Sequence, residues 1–289
     1  MTERVWRDYD QAGLDRQLNL RARWPHHPEI FARWAADSRE ARQRLPRRLD
    51  LPYGPTPGQT LAFFPAAGTG PAAMMIFIHG GYWQSLDKGD FSYLATPFVE
   101  AGIAFASLNY DMAPAVSVGT IVRQIDAAIA WLALHAIELG CDRHRLVVSG
   151  HSAGGHLATM ALIADAERAA DGGSPRLLSA GLSVSGVYDL VPVRLSYQQA
   201  ALKLTQNETR LLSPLRRQPH DMAPLVVGVG GGETHEFLRQ QDALEAQWRA
   251  LDLPLEVVPI EERDHFTAVD ALGEREHPLH RAALVLCGL

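Results

Sequence analysis

Cysteine is almost missing: among 289 residues only Cys141 and Cys287 occur. Two are too few for a disulfide framework or a thiolate metal site, so both are expected to be small buried hydrophobes. A basic surplus is missing too. Lys and Arg number 27 against 33 Asp and Glu, a formal charge of −6, which leaves nothing to neutralise a nucleic-acid backbone or an anionic lipid surface. No apolar run is long enough to cross a bilayer. The start, Met1 to Asp10, carries Glu3, Arg4, Arg7 and Asp8 where a secretion signal would be apolar. A soluble, cytoplasmic protein is expected, with a small-molecule partner and with neither nucleic acid nor membrane bound. A homodimer is expected from the prevalence of twofold assemblies.

What is present suits a folded enzyme-sized domain. The chain is 47% apolar and 21% charged, which excludes disorder. A single domain over residues 1–289 is expected, with a helical arm at 1–46. In that arm Pro28 to Arg44 reads as a helix, with Ile30, Phe31, Trp34, Ala35 and Ala41 on one face, placed to cover the core or a pocket. A Pro/Gly/Ala stretch from Tyr53 to Pro71 surrounds one short apolar run, Thr60 to Phe64. From Met74 onward six β-rich runs, at 74–79, 103–108, 145–150, 178–186, 224–229 and 255–260, alternate with helix-period segments. The clearest of those segments are Ile121 to Leu139 and Glu233 to Leu251. Strands apolar throughout and separated by helices predict an α/β fold, a mostly parallel sheet covered on both faces. Function in such sheets sits at the carboxyl ends of the strands. The helix-rich segment 191–214 interrupts the pattern and is a candidate cap.

The third run leads into Gly150-His151-Ser152-Ala153-Gly154 and then a helix over Gly155 to Ala164. This is G-x-S-x-G in the strand-turn-helix setting of a nucleophile elbow. The competing reading of Ser152 is an ordinary helix-capping serine. A serine hydroxyl needs a base to take its proton. Of twelve histidines, His265 alone stands in the loop leaving the sheet's carboxyl edge after the sixth run. His151 is expected to be a packing residue, and His135, His144 and His156 to lie on the surface. The acid that orients His265 should follow the preceding run, where Glu233 comes first; Glu233 also fits a first-turn helix acid. Asp242 lies too deep in its helix, and Asp264, adjoining His265, should point away from it. Donors for an oxyanion are expected from the amides of Gly80, Gly81 and Tyr82 after the first run, and of Ala153 after the serine. No metal and no organic cofactor is expected: there is no H-E-x-x-H, and the Gly-rich turn at 228–232 lacks the lysine a phosphate site would use.

Five segments together, H-G-G-Y-W at 79–83, N-Y-D-M-A-P at 109–114, G-H-S-A-G-G-H-L-A at 150–158, V-S-G-V-Y-D-L at 184–190 and D-H-F at 264–266, resemble the serine-dependent kynurenine formamidases. These are α/β-hydrolases related to hormone-sensitive-lipase-like esterases. The resemblance spans roughly residues 74 to 270. Its acid precedes an E-F-x-x-Q-like stretch, matched here by Glu236 to Gln240 after Glu233, with Glu where the family usually has Asp. The resemblance implies hydrolysis of N-formyl-kynurenine to kynurenine and formate by Ser152, Glu233 and His265 without a cofactor. Two alternatives stand beside it: a carboxylesterase for short acyl chains, and a catalytically silent hydrolase fold used for binding. Tyr82, Trp83, Tyr188, Tyr197 and Phe266 are candidates to flank an aromatic substrate, and Arg194, Lys203 or Arg210 in the cap to meet a substrate carboxylate.

Overall fold

Runs such as MMIFI carry apolar side chains on both faces, which only a sheet covered on both sides can satisfy. A computed structural model of the chain describes residues 3–68, 70–172 and 175–289. Met1 and Thr2 of the expected arm, and Thr69 of the Pro/Gly/Ala stretch, lie outside the described residues. The sheet comprises β1 Arg48–Pro52, β2 Thr60–Phe64, β3 Ala72–Ile78, β4 Ala104–Leu108, β5 Cys141–His151, β6 Ala180–Val184, β7 Leu225–Gly228 and β8 Leu255–Val257. Its spatial order is β1-β2-β4-β3-β5-β6-β7-β8. Strands β3 to β8 pair in parallel, while β2 runs antiparallel to both β1 and β4. Every residue of β3, β4 and β6 is buried, as a two-sided cover requires.

The helices are α1 Gln11–Leu18, α2 Leu20–Arg23, α3 His27–Arg44, α4 Ala95–Glu100, α5 Val118–His135, α6 Ala153–Ala170, α7 Leu190–Leu195, α8 Gln199–Leu202, α9 Gln206–Leu211, α10 His235–Ala250 and α11 Pro278–Leu286. Helix α5 starts earlier than its apolar periodicity suggests because the Ser117 hydroxyl accepts from the Thr120 amide and caps it. The run at 178–186 contributes a shorter strand, since Ser185 turns to a φ of 48° and leaves the sheet. Strand β1 carries almost no apolar alternation and was not expected. It is an exposed edge strand held by pairing with β2, so its sequence follows the needs of an edge and not of a core. Both cysteines are buried, and burial raises each thiol pKa to about 12. Among the described residues no helix is long and apolar enough to cross a membrane.

Two features of this topology place the site. The chain passes from β3 outward to β4 on one side and later to β5 on the other, so β3 and β5 flank a switch point where the loops at their carboxyl ends diverge and leave a crevice. The arm is fastened over that end. The Trp34 indole N–H and the Tyr93 hydroxyl donate to the same Asp270 oxygen at 3.0 and 2.8 Å, Arg33 pairs with the other oxygen, and the Ser38 hydroxyl donates to the Asp90 carbonyl.

Candidate active site

Strand β5 turns into α6 through one residue, Ser152, whose backbone stands at φ 59° and ψ −121°. A serine keeps this unfavourable conformation only where the surroundings over-determine it. Here the cause is close packing: a Cβ on Gly154 would lie 1.9 Å from the Ile78 carbonyl oxygen, so the chain can pass the end of β3 only as glycine. The turn projects the Ser152 hydroxyl from the amino end of α6, where helix amides favour negative charge.

The His265 ring reaches Ser152 from the loop after β8. Its Nε2 lies 2.9 Å from Ser152 Oγ and its Nδ1 lies 2.8 Å from Glu233 Oε1. A carboxylate can only accept, so Nδ1 carries the proton and Nε2 is left to accept from the hydroxyl. Both the His265 and Glu233 side chains are almost fully withdrawn from solvent. Glu233 is placed by the turn after β7: its amide donates to Gly230 O, and the amides of Gly231 and Gly232 donate to Ile260 O and Arg263 O, binding this turn to the His265 loop. Asp264, as expected, faces away from the ring. Its Oδ1 accepts from the amides of Phe266 and Thr267, and its Oδ2 meets His26 of the arm.

The loop after β3 completes the arrangement. A Cβ on Gly80 would come 3.0 Å from Ser152 Cβ, so the loop lies directly against the elbow. Tyr82 and Trp83 both take positive φ, 50° and 57°, and the amides of Gly80, Gly81, Tyr82 and Ala153 donate to no backbone acceptor among the described residues. A hydroxyl poised on an imidazole beside open amides is an arrangement suited to acyl transfer. Among the described residues no group of three or more His, Cys, Asp and Glu side chains is placed to hold a metal ion.

Ser152 and His265 open into a cavity of about 380 Å³. Gly81, Tyr82, Tyr197 and Phe266 line it, as does the edge of the expected cap through Gln198. The arm supplies the rest of one wall through Asn19, Leu20, Arg21, Phe31 and Trp34. Phe31 meets Phe266 edge-on at 5.2 Å, and Trp24 stacks 6.5 Å from the His265 ring. Two expected aromatic neighbours of the substrate are elsewhere. Trp83 is wholly buried in T-shaped contact with the His156 ring, and Tyr188 is wholly buried with its hydroxyl on Ser183 Oγ. The cap cations are also elsewhere: Arg194 and Arg210 line a separate depression, and Lys203 ends α8. Arg21 is the cation in the cavity wall. No sequence signal marked it, because its short segment between α1 and α3 has no periodicity of its own.

One histidine also departs from expectation. His156 is buried, its Nε2–H donating to Leu212 O, because α6 is covered all round and its polar ring must find a partner inside. His151 lines the cavity and donates its Nε2–H to the His265 carbonyl at 2.8 Å, steadying the backbone that carries the ring. Burial lowers the pKa of His79 and of His156 to about 4 and that of His151 well below its ordinary value. All three are neutral in the fold. Below the unfolded value of about 6.5 the unfolded chain binds protons that the folded chain refuses, so stability is full above that pH and falls as pH drops toward 4. Each such group contributes about 1 kcal/mol per pH unit in that window. Thermal denaturation should therefore give a Tm several degrees lower at pH 5 than at pH 7.5, and the drop should shrink in His156→Gln.

A family model described as BD-FAE matches residues 62–227. The chain belongs to the BD-FAE family. A kynurenine formamidase of Salmo salar is 29% identical to it, covering 98% of both chains. Esterase LipQ of Mycobacterium tuberculosis is 30% identical, over 60% of this chain and 40% of its own length. A solved structure of a candidate thioesterase from Silicibacter superposes with a TM-score of 0.80 at 28% identity, covering 96% of this chain and 99% of the other. With this fold and these relatives, this BD-FAE member is an α/β-hydrolase and a hydrolytic enzyme for small molecules.

Proposed function

We propose that this hydrolase is an arylformamidase that cleaves N-formyl-kynurenine or a similar aryl formamide to the aromatic amine and formate. The observation that carries the reading is the Ser152–His265–Glu233 chain of hydrogen bonds opening into an aromatic-lined cavity of about 380 Å³, the size of a small-ligand pocket. Similarity to a kynurenine formamidase along nearly the whole chain supports the same choice.

The chemistry follows from the geometry. His265 Nε2 takes the Ser152 proton as Oγ attacks the formyl carbon, and Glu233 holds the imidazole in that tautomer and stabilises it once charged. The amides of Ala153 and of Gly80, Gly81 and Tyr82 stand ready for the oxygen that becomes negative. His265 then passes its proton to the anilide nitrogen, the C–N bond breaks, and the amine leaves a formyl ester on Ser152. Water, deprotonated by the same ring, adds to that ester; collapse releases formate and restores the hydroxyl. A formyl carbon bears only hydrogen, so the acyl side needs almost no room. The aromatic leaving half takes the rest of the cavity, beside Tyr82, Phe31, Tyr197 and Phe266. In this reading the protein works in the cytoplasm as a homodimer, with residues 1–289 acting as one domain whose arm, 1–46, closes over the site.

The same machinery serves a short-chain carboxylesterase, which likeness to esterase LipQ favours. The two are separated by kcat/KM for N-formyl-kynurenine and for p-nitrophenyl acetate on one enzyme preparation. The formamidase reading expects the amide, despite its harder bond, to be turned over at least as well as the activated ester. A formamide rate far below the ester rate would leave an esterase.

A further inference from the structure

We propose that Arg21 anchors a carboxylate on the leaving half of the substrate, so that the enzyme selects aryl formamides bearing an acidic side chain. The inference rests on the formamidase reading above and adds the residue that sets its substrate class. Among the described residues lining the cavity, Arg21 is the one permanently charged side chain, and no Asp or Glu is present to neutralise it. The guanidinium is held in place by two uncharged groups: it donates to Ser85 Oγ at 2.8 Å and lies 5.8 Å from the centre of the Phe31 ring. One of its five N–H donors is used by Ser85, so a planar fork remains for a carboxylate. The neutral polar groups beside it are occupied with one another, Gln84 donating to Gln198 Oε1 at 2.8 Å and Gln198 donating to the Tyr197 hydroxyl at 2.9 Å. Arg21 and Ser152 line the same cavity, and a formyl group at Ser152 leaves the remainder, Arg21 included, to the amine that departs.

The cavity therefore offers a positive pole without a negative one. A substrate with an anionic terminus matches it, and a neutral terminus of the same shape forgoes a charge-assisted hydrogen bond.

The test compares N-formyl-kynurenine with its carboxamide, which keeps the shape and removes the negative charge. In the wild-type enzyme the acid should exceed the carboxamide in kcat/KM by about 10- to 100-fold, expressed mainly in KM. In Arg21→Gln this ratio should fall to near one, and in Arg21→Lys part of it should return. Because the ratio is taken within each variant, loss of folded protein cancels. A ratio that survives in Arg21→Gln, or a wild-type ratio near one, overturns the assignment. If the wild-type enzyme hydrolyses neither formamide, the formamidase reading fails separately. The same ratio is then measured on a phenyl acetate bearing a propionate side chain and on its amide. Dependence of that ratio on Arg21 upholds the carboxylate anchor, and independence overturns it.

Discussion

Ser152→Ala should lower kcat by about 10⁵- to 10⁶-fold while leaving the protein at least as stable as before. The hydroxyl is the atom of residue 152 that is hydrogen-bonded to the imidazole, at 2.9 Å from His265 Nε2. Its removal takes the attacking group away without disturbing the packing that holds the elbow, which comes from glycine and backbone contacts. The exposed Nε2 faces the cavity, where water can satisfy it. Hydroxyl and imidazole act as a unit, so the double variant Ser152→Ala/His265→Ala should be scarcely worse than either single one. The measurements are kcat on the best substrate, labelling by a fluorophosphonate, and Tm. Labelling should vanish with activity in the single variant. Ser152→Ala protein that retains more than about 1% of the wild-type rate would place the nucleophile elsewhere, since that residue is far above what open amides alone sustain.

The contrast between what was readable in the chain and what was not follows the range of the interactions involved. The elbow is legible because five consecutive residues supply its geometry: two glycines that must pass neighbouring backbone and the serine between them. Glu233 and His265 are legible at one remove, because each stands in the loop after a strand whose β-rich run can be counted in order. The mostly parallel sheet shows in its apolar runs, whereas β1, an edge strand facing water, has no such run to show. The cavity wall is set by contacts between distant segments. Tyr82 turns into the cavity and its neighbour Trp83 turns into the core, and the positive φ angles that separate them leave no trace in residue type. Phe31 lies on the helix face that periodicity assigns to the core, yet part of that face covers a pocket. Arg21 is an exposed cation by composition and by burial alike. Only the position of the arm above β3 and β5 gives it a role.

The second large effect separates the two acids near His265. Glu233→Gln should reduce kcat by about 10⁴-fold, whereas Asp264→Asn should stay within about 10-fold of wild type. The Glu233 side chain is fully buried; Oε1 accepts from His265 Nδ1, and Oε2 has no hydrogen-bond partner among the described residues. A glutamine there has two ways to lie, and both fail. With its oxygen toward Nδ1, the tautomer is kept but no negative charge stabilises the imidazolium that forms as Ser152 loses its proton. With its amide nitrogen toward Nδ1, the imidazole must carry its proton on Nε2, pointing at the hydroxyl it is meant to deprotonate. Asp264 spends its oxygens on the turn and on His26, and an asparagine oxygen can still accept from the amides of Phe266 and Thr267. The change then weakens one contact with the arm and leaves the ring in place. Steady-state kcat for the two variants, with Tm as a check on folding, decides between them: a severe Asp264→Asn beside a mild Glu233→Gln would transfer the orienting role to Asp264.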